Sequence, residues 1–172
     1  MQRGIVQVYT GDGKGKTTAA LGLALRAAGA GLKIYLGQFI KKGATSEILA
    51  LRRLHPAIAV RQYGRGCFVR GKPAPGDIRA ARKGLASLQR AMLGRKYDLV
   101  IGDEILCAIT AGLLTTGSVL RLITRKPSSV ELVLTGRNAP AGVVRRADLV
   151  TEMRPVKHPF ARGLPARKGI EF

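Results

Sequence analysis

Cysteine, histidine and tryptophan are scarce in this sequence, and each scarcity excludes a class of protein. The chain has two cysteines, two histidines and no tryptophan. Cys67 and Cys107 form no CxxC pair, and neither histidine has metal-ligand spacing around it. We therefore expect neither a zinc site nor a disulfide framework, which is consistent with a reducing cytoplasmic location.

Long hydrophobic runs are also missing. The most apolar segment, residues 19–32, is interrupted by Arg26 and is too short to span a bilayer. The amino terminus lacks the architecture of a signal peptide, because charged residues follow a short apolar stretch. We expect no contact with a membrane.

Acidic residues are few, whereas basic residues are abundant. Asp and Glu total 10 against 30 Lys and Arg, a formal charge of +20. Such an excess favours an anionic partner such as nucleic acid, polyphosphate or a phosphorylated substrate. A basic surface that serves only solubility explains the charge equally well.

The pattern of apolar segments predicts an α/β fold. With 172 residues, a single domain covering residues 1–172 is expected. Six short β-rich runs alternate with helical segments, which indicates a central, mostly parallel sheet flanked by helices. The predicted strands cover residues 5–9, 33–39, 58–63, 98–102, 130–135 and 148–153. The predicted helices cover residues 16–30, 46–54, 77–93, 105–113, 118–123 and 140–146.

Two segments rich in glycine and proline do not fit regular structure. One covers residues 64–76, and the other is the C-terminal tail, residues 154–172. Ordered loops of this length often serve function.

The segment between the first strand and the first helix is typical of a phosphate-binding loop. It contains Gly11, Asp12, Gly13, Lys14, Gly15, Lys16, Thr17 and Thr18. Glycines let successive backbone N–H groups converge on an anion, and the following helix adds its positive end. Lys16 would contact the terminal phosphates and the Thr17 hydroxyl would bind Mg²⁺. The pattern departs from G-x-x-x-x-G-K-S/T only at its first position, which is Thr10.

A second motif, which is acidic, also supports nucleotide binding. The run YDLVIGDE is an apolar strand that ends in Asp103 and Glu104. Carboxylates at a strand end can bind Mg²⁺ or activate water, although they also cap helices. The two motifs predict nucleotide binding but leave the reaction open among ATPases, GTPases and kinases.

Beyond these motifs, the chain resembles the ATP:corrinoid adenosyltransferases of the cobalamin-synthesis type. The resemblance lies in VYTGDGKGKTTAALGLALRAAGAGLKIYLGQFIKKG, YDLVIGDEI, LTGRNAP and ADLVTEMRPVKHPFARGLPARKGIEF. It implies a RecA-like P-loop domain, a homodimer and the transfer of the 5′-deoxyadenosyl group of ATP to the Co(I) of a reduced corrinoid, with release of triphosphate.

The resemblance also implies roles for particular residues. Residues 11–18 would hold the triphosphate, and Lys16, Thr17 and Glu104 would be catalytic. Thr17 and Glu104 would bind Mg²⁺, with Asp103 as competitor or helper. Arg137, in the TGR motif, would contact phosphate or nucleotide, although a surface arginine after a strand is the simpler interpretation.

The part of the sequence that would shield the corrin differs from the family pattern. Many members carry G-x-G-F-T-W, whose aromatic side chains cover the lower face of the corrin. The matching stretch here places Cys67, Phe68 and Val69 as candidate corrinoid-binding residues. Residues 61–96 carry ten Lys and Arg and one acid, which fits a docking surface for a flavoprotein reductase or a solvated helix face. We favour the latter.

Two alternatives remain open at this point. A RecA-like nucleic-acid-dependent ATPase would explain the +20 charge, but four Tyr and four Phe offer little stacking, and we do not expect nucleic acid as a partner. A small-molecule kinase would use residues 64–76 as a lid.

Overall fold

A computed structural model describes residues 3–43, 45–66, 71–159 and 163–171 of the chain. Within these ranges strands alternate with helices as the apolar pattern predicts, with two successive helices between the fourth and fifth strands. The strands are β1 (Val6–Thr10), β2 (Ile34–Ile40), β3 (Ile58–Gly64), β4 (Leu99–Asp103), β5 (Glu131–Thr135) and β6 (Leu149–Glu152). The helices are α1 (Lys16–Gly29), α2 (Ser46–Arg52), α3 (Pro75–Leu93), α4 (Ile105–Thr110), α5 (Thr116–Thr124) and α6 (Ala141–Arg146).

The six strands form one sheet in the order β3-β2-β4-β5-β1-β6, and every described pairing is parallel. The predicted α/β class is therefore confirmed, and the fold is RecA-like. Strand β5 separates β1 from β4, so the glycine-rich segment and the acidic motif follow strands that are not neighbours. Their side chains meet across the end of β5.

Helices cover both faces of the sheet, and this explains the continuous apolar runs. On one face α1 and α2 contribute Ala20, Ala24, Ala27, Ile48 and Leu51 to a buried cluster. On the other face α3 to α6 build a larger cluster around Leu88. All five residues of β4 and all five of β5 are buried, as expected for strands covered on both sides.

Close packing of α3 depends on two glycines. Gly37 of β2 and Gly102 of β4 are register partners, and a Cβ on either would lie 3.1 Å from the Leu88 side chain. The helix therefore lies directly on the strands, because no side chain intervenes at these two positions. The residues that follow these glycines, Gln38 and Asp103, are also register partners.

The C-terminal tail has no α-helix or strand in residues 154–159 and 163–171, as the sequence predicts. It nevertheless returns to the segment between β1 and α1, where Lys14 Nζ lies 2.8 Å from Glu171 Oε1. Among the described residues, no helix is long and apolar enough to cross a membrane.

Candidate active site

The glycine loop, residues Gly11 to Gly15, joins β1 to α1 and is shaped by the backbone that follows β6. Gly13 N–H donates to the Met153 carbonyl at 2.7 Å. A Cβ on Gly11 or Gly13 would lie 2.4 or 2.7 Å from the same oxygen. Glycine is thus required at these two positions because a side chain would clash with the Met153 carbonyl. Gly11 and Gly15 also have φ values of 95° and 118°, a backbone region that favours glycine. The loop ends at the amino terminus of α1, where helix N–H groups favour an anion.

Lys16, the first residue of α1, is buried against the glycine loop. Its ammonium donates to the Gly11 carbonyl at 2.6 Å and to the Gly13 carbonyl at 2.8 Å. Burial, and then the positive charge of Arg137, lowers the pKa of Lys16. Two of its three N–H donors are occupied by these carbonyls, which leaves one donor for a further acceptor.

Thr17 connects the glycine loop to the acidic end of β4. Its hydroxyl donates to Asp103 Oδ1 at 2.9 Å, and the Thr135 hydroxyl donates to the same oxygen at 2.7 Å. The other carboxylate oxygen accepts from Gln38 Nε2 at 3.0 Å. Asp103 is fully buried, and burial followed by the charge of Glu104 raises its pKa. The hydrogen bonds from Thr135 and Gln38 act in the opposite direction and favour the carboxylate.

Glu104 follows Asp103 in a left-handed backbone conformation, with φ 60°. Its N–H donates to Thr135 Oγ1 at 2.9 Å, so Thr135 fixes both acidic residues. The Glu104 side chain is 21% exposed and its Oε1 lies 3.6 Å from Lys41 Nζ. Of the two carboxylates, Glu104 is therefore the one that remains accessible to a ligand.

Cys107 lies beside Glu104 on α4 and is not a reactive thiol. Burial, with the charge of Glu104 as the next cause, raises the pKa of Cys107 to about 12. Its sulfur accepts a hydrogen bond from the backbone N–H of Arg137 at 3.2 Å. A thiol with so high a pKa stays protonated near neutral pH and is a poor nucleophile.

Arg137 and Asp12 approach each other at the rim of the site. Arg137 Nε lies 3.8 Å from Asp12 Oδ1, and both side chains are more than half exposed. The backbone after β5 also contacts the end of β1, because Ala139 N–H donates to Thr10 Oγ1 at 3.2 Å. Thr10, which departs from the common pattern, thus anchors the TGR segment to β1.

The predicted nucleotide residues therefore lie at one edge of the sheet, with differing accessibility. Lys16, Thr17, Asp103 and Glu104 lie together, whereas Asp12, Lys14 and Thr18 are exposed around them. The predicted corrinoid residues Cys67, Phe68 and Val69 lie outside the described residues. The residues that precede this stretch in the sequence, Arg65 and Gly66, line a cleft together with Ile40, Tyr63, Gly64, Asp77 and Leu113.

Sequence reasoning missed three residues that shape this site. Gln38 and Thr135 both contact Asp103, and Met153 contacts the glycine loop. Gln38 had a detectable signal, since it is a polar residue inside the otherwise apolar run of β2. The approach of Met153 to Gly13 depends on tertiary structure and has no local signal.

The oxygen-only donor set fits Mg²⁺, which prefers carboxylate, hydroxyl and phosphate oxygens. Among the described residues, no group of three or more His, Cys, Asp or Glu side chains could hold a metal. Mg²⁺ typically uses one or two protein ligands and completes its shell with water and substrate phosphates. Thr17 and the two acidic residues can supply such a minimal set.

Comparisons with known proteins agree with the geometry. Residues 2–172 match the family model described as ATP:corrinoid adenosyltransferase BtuR/CobO/CobP. A corrinoid adenosyltransferase from Pseudomonas aeruginosa is 36% identical over 172 residues, covering 99% of this chain and 85% of the relative. One from Escherichia coli is 33% identical, covering 99% and 87% respectively.

A solved structure shares the fold at low sequence similarity. A KaiC-like protein from the archaeon Pyrococcus horikoshii superposes with a TM-score of 0.60 and 19% identity. The match covers 87% of this chain and 73% of the archaeal one. At this identity the comparison establishes the fold alone.

Proposed function

We propose how this chain, which belongs to the ATP:corrinoid adenosyltransferase family, carries out ATP-dependent adenosyl transfer to a corrinoid. The single observation that carries the mechanism is the convergence of Lys16, Thr17 and the β4 carboxylates at the amino terminus of α1. That arrangement can bind a triphosphate and contains no activated nucleophile. The family match does not favour a nucleic-acid-dependent ATPase or a kinase.

The glycine loop and Lys16 hold the triphosphate as a leaving group. In the reaction, both electrons of the new Co–C bond come from Co(I), which attacks C5′ of ATP. The C5′–O bond breaks and its electron pair leaves with triphosphate. Backbone N–H groups, the α1 terminus and the Lys16 ammonium stabilise the charge that develops on the departing oxygen. Lys14 and Arg137 add positive charge at the exposed side of the loop.

Thr17 and Glu104 are the proposed Mg²⁺ ligands, and Asp103 acts through Thr17. Asp103 is buried and accepts hydrogen bonds on both oxygens, whereas the Glu104 carboxylate is partly accessible. When bound, Mg²⁺ neutralises part of the triphosphate charge. The protein's contribution is to fix the Thr17 oxygen and the Glu104 carboxylate on one side of the phosphates.

The reaction as written transfers no proton, and the site is consistent with this. Co(I) is itself a strong nucleophile, so no base is needed to activate it. Cys107 remains protonated because its pKa is raised to about 12. The acidic residues have hydrogen-bonding or electrostatic roles in place of general-base roles.

The corrinoid would bind at the carboxyl edge of β2 and β3, beside the cleft at Tyr63 and Leu113. Support comes from the sequence position of Cys67, Phe68 and Val69, which directly follow the cleft residues Arg65 and Gly66. We propose that Phe68 shields the lower face of the corrin. We further propose that a flavoprotein reductase is the electron donor, that the protein forms a homodimer and that it is located in the cytoplasm.

Product analysis tests this function. The protein is incubated with ATP, Mg²⁺ and chemically reduced cob(I)alamin, and the corrinoid spectrum and the phosphate products are followed together. We expect an alkylcobalamin spectrum and triphosphate in equal amounts. ADP and orthophosphate, with or without stimulation by DNA or RNA, would refute the proposal. A γ-phosphate transferred to an added small molecule would indicate a kinase.

A further inference from the structure

Two glutamines extend the hydrogen-bond network of Asp103 across the sheet. Gln38 Nε2 donates to Asp103 Oδ2 at 3.0 Å, and Gln62 Nε2 donates to Gln38 Oε1 at 2.8 Å. Gln62 in turn pairs with the backbone of Gly43, donating to its carbonyl at 3.0 Å and accepting from its N–H at 3.4 Å. These contacts join the ends of β3, β2 and β4 to the loop after β2. We call Gln62 and Gln38 the glutamine relay.

The direction of the relay follows from hydrogen-bond chemistry. An ionised carboxylate only accepts hydrogen bonds, so Gln38 must present its NH₂ group to Asp103. The carbonyl of Gln38 then faces Gln62, which must also present its NH₂ group. The positive ends of both amide dipoles therefore point toward Asp103, and successive hydrogen bonds in such a chain strengthen one another.

The glutamine relay determines the direction in which the Thr17 hydroxyl hydrogen points. With Gln38 on Oδ2, the other carboxylate oxygen is directed at Thr17 and Thr135. The hydroxyl hydrogen of Thr17 is then committed to Asp103, so the lone pairs of its oxygen point elsewhere. An oxygen with its hydrogen turned away is the form in which a hydroxyl binds a cation.

Burial makes Gln38 dependent on these contacts. It is 1% exposed, and an amide in such a place is costly unless its donors and acceptor are paired. A methionine or leucine would avoid the cost of burying an amide but would leave the buried Asp103 Oδ2 without this donor. The packing of β2 alone gives no reason for an amide at this position.

We propose that Gln38 is a positioning residue, which fixes Asp103 so that the Thr17 oxygen is oriented for Mg²⁺ bound to the triphosphate, and that Gln62 sets the orientation of Gln38. The proposal rests on the proposed function, since it assumes a Mg²⁺–ATP substrate. It also ties the loop at Gly43, which follows Lys41 and Lys42, to the same site.

Calorimetric binding of ATP, with Mg²⁺ and with EDTA, tests the relay without any corrinoid. Gln38→Met keeps the size of the side chain and removes both hydrogen bonds. We expect the gain in ATP affinity produced by Mg²⁺ to fall by about 10–100-fold, as for other residues that orient a metal ligand. Affinity in EDTA should stay within about twofold of the wild type, because the triphosphate contacts of Lys16 and the glycine loop are unchanged.

Gln62→Met provides a second, milder variant if Gln38→Met folds poorly. It leaves the Gln38 bond to Asp103 in place and removes only its support, so a loss of less than about tenfold is expected. Gln7→Met is the matched control. The Gln7 side chain also donates to a carboxylate, that of Glu131 at 2.6 Å, but Gln7 lies near the amino end of β1, away from the site. The Mg²⁺ dependence of ATP binding by Gln7→Met should equal that of the wild type.

Two results would overturn the relay. One is a wild-type Mg²⁺ effect in Gln38→Met. The other is an equal loss of ATP affinity with and without Mg²⁺, which indicates a structural role only. Neither result bears on adenosyl transfer by the wild-type protein, which is measured separately with cob(I)alamin. The proposed function fails if the wild type binds Mg²⁺–ATP but forms no Co–C bond, whatever the variants show.

Discussion

The Thr17 hydroxyl donates to Asp103 Oδ1 at 2.9 Å, although the two residues are 86 positions apart in the sequence. This bond joins the glycine loop to the end of β4 across β5, which lies between their strands. The nucleotide site therefore exists only when the sheet has its observed strand order. A change at either residue should weaken the Mg²⁺-dependent part of ATP binding.

Lys16→Ala should reduce kcat/KM for ATP by about 10²–10³-fold, because it removes a positive charge from the departing triphosphate. Turnover with cob(I)alamin at varied ATP concentration measures this. Lys126→Ala is a matched control, since Lys126 also donates to backbone carbonyls, those of Gly4, Pro127 and Val130. It should lower stability without changing turnover per folded molecule. Equal losses of turnover in the two variants would contradict the role of Lys16.

Glu104→Gln should raise the Mg²⁺ concentration needed for half-maximal turnover by about tenfold or more, the effect of losing one charge-assisted contact. The substitution keeps the side-chain size and the backbone N–H bond to Thr135. Asp148→Asn, at the amino end of β6, serves as control and should leave the Mg²⁺ requirement unchanged. If Glu104→Gln also leaves it unchanged, Glu104 is not a metal ligand.

Two helical glycines should respond oppositely to alanine. A Cβ on Gly84 of α3 would lie 2.8 Å from atoms of Phe39 and Tyr63, whereas a Cβ on Gly22 of α1 meets nothing within 4 Å. Gly84→Ala should lower the free energy of unfolding by about 1–3 kcal/mol. Gly22→Ala should raise it by about 1 kcal/mol through helix propensity. Urea denaturation of both variants checks the packing of α3; stabilisation by Gly84→Ala would show that the helix lies farther from the sheet.

Glu171 should titrate far below an ordinary glutamate. Hydrogen bonding from Arg167, and then from Lys14, lowers the pKa of Glu171 to about 2. Because the folded-state pKa is depressed, these contacts stabilise the tail fully above the usual glutamate range. Their contribution is lost as pH falls toward 2.

NMR titration of the Glu171 carboxyl carbon measures this directly. Arg167→Met should raise the pKa of Glu171 more than Lys14→Met does, since the Arg167 hydrogen bond is the largest cause. A wild-type value near the ordinary glutamate pKa of about 4.3 would show that the tail does not contact the glycine loop in solution.

The sequence predicted the elements better than their arrangement. The continuous apolar runs of residues 99–101 and 132–134 predict strands covered on both faces, and β4 and β5 are buried throughout. The helical spacing of Ile78, Ala81, Leu85, Leu88 and Met92 predicts one apolar face of α3. Of these five residues, Ala81, Leu88 and Met92 are buried, and Ile78 and Leu85 are partly buried. The order of strands could not be predicted, because each strand pairs through backbone groups that every residue carries. No local pattern records that β5 lies between β1 and β4.

The parts of the candidate site that form a contiguous sequence motif were predicted. The parts that the fold brings together from separate strands were missed. The glycine loop and the pair Asp103–Glu104 stand out because their spacing is local. Gln38 is remote in sequence from both, and its role depends on the pairing of β2 with β4. Met153 contacts the glycine loop because β6 pairs with β1.

The fate of the C5′ carbon of ATP tests the central claim most directly. ATP labelled with ¹³C at C5′ and with ³²P at the γ-phosphate is incubated with the protein, Mg²⁺ and cob(I)alamin. We predict a ¹³C resonance from a methylene bonded to cobalt, with all released ³²P in intact triphosphate. Recovery of the ¹³C in ADP, with ³²P in orthophosphate or on another acceptor, would contradict the account.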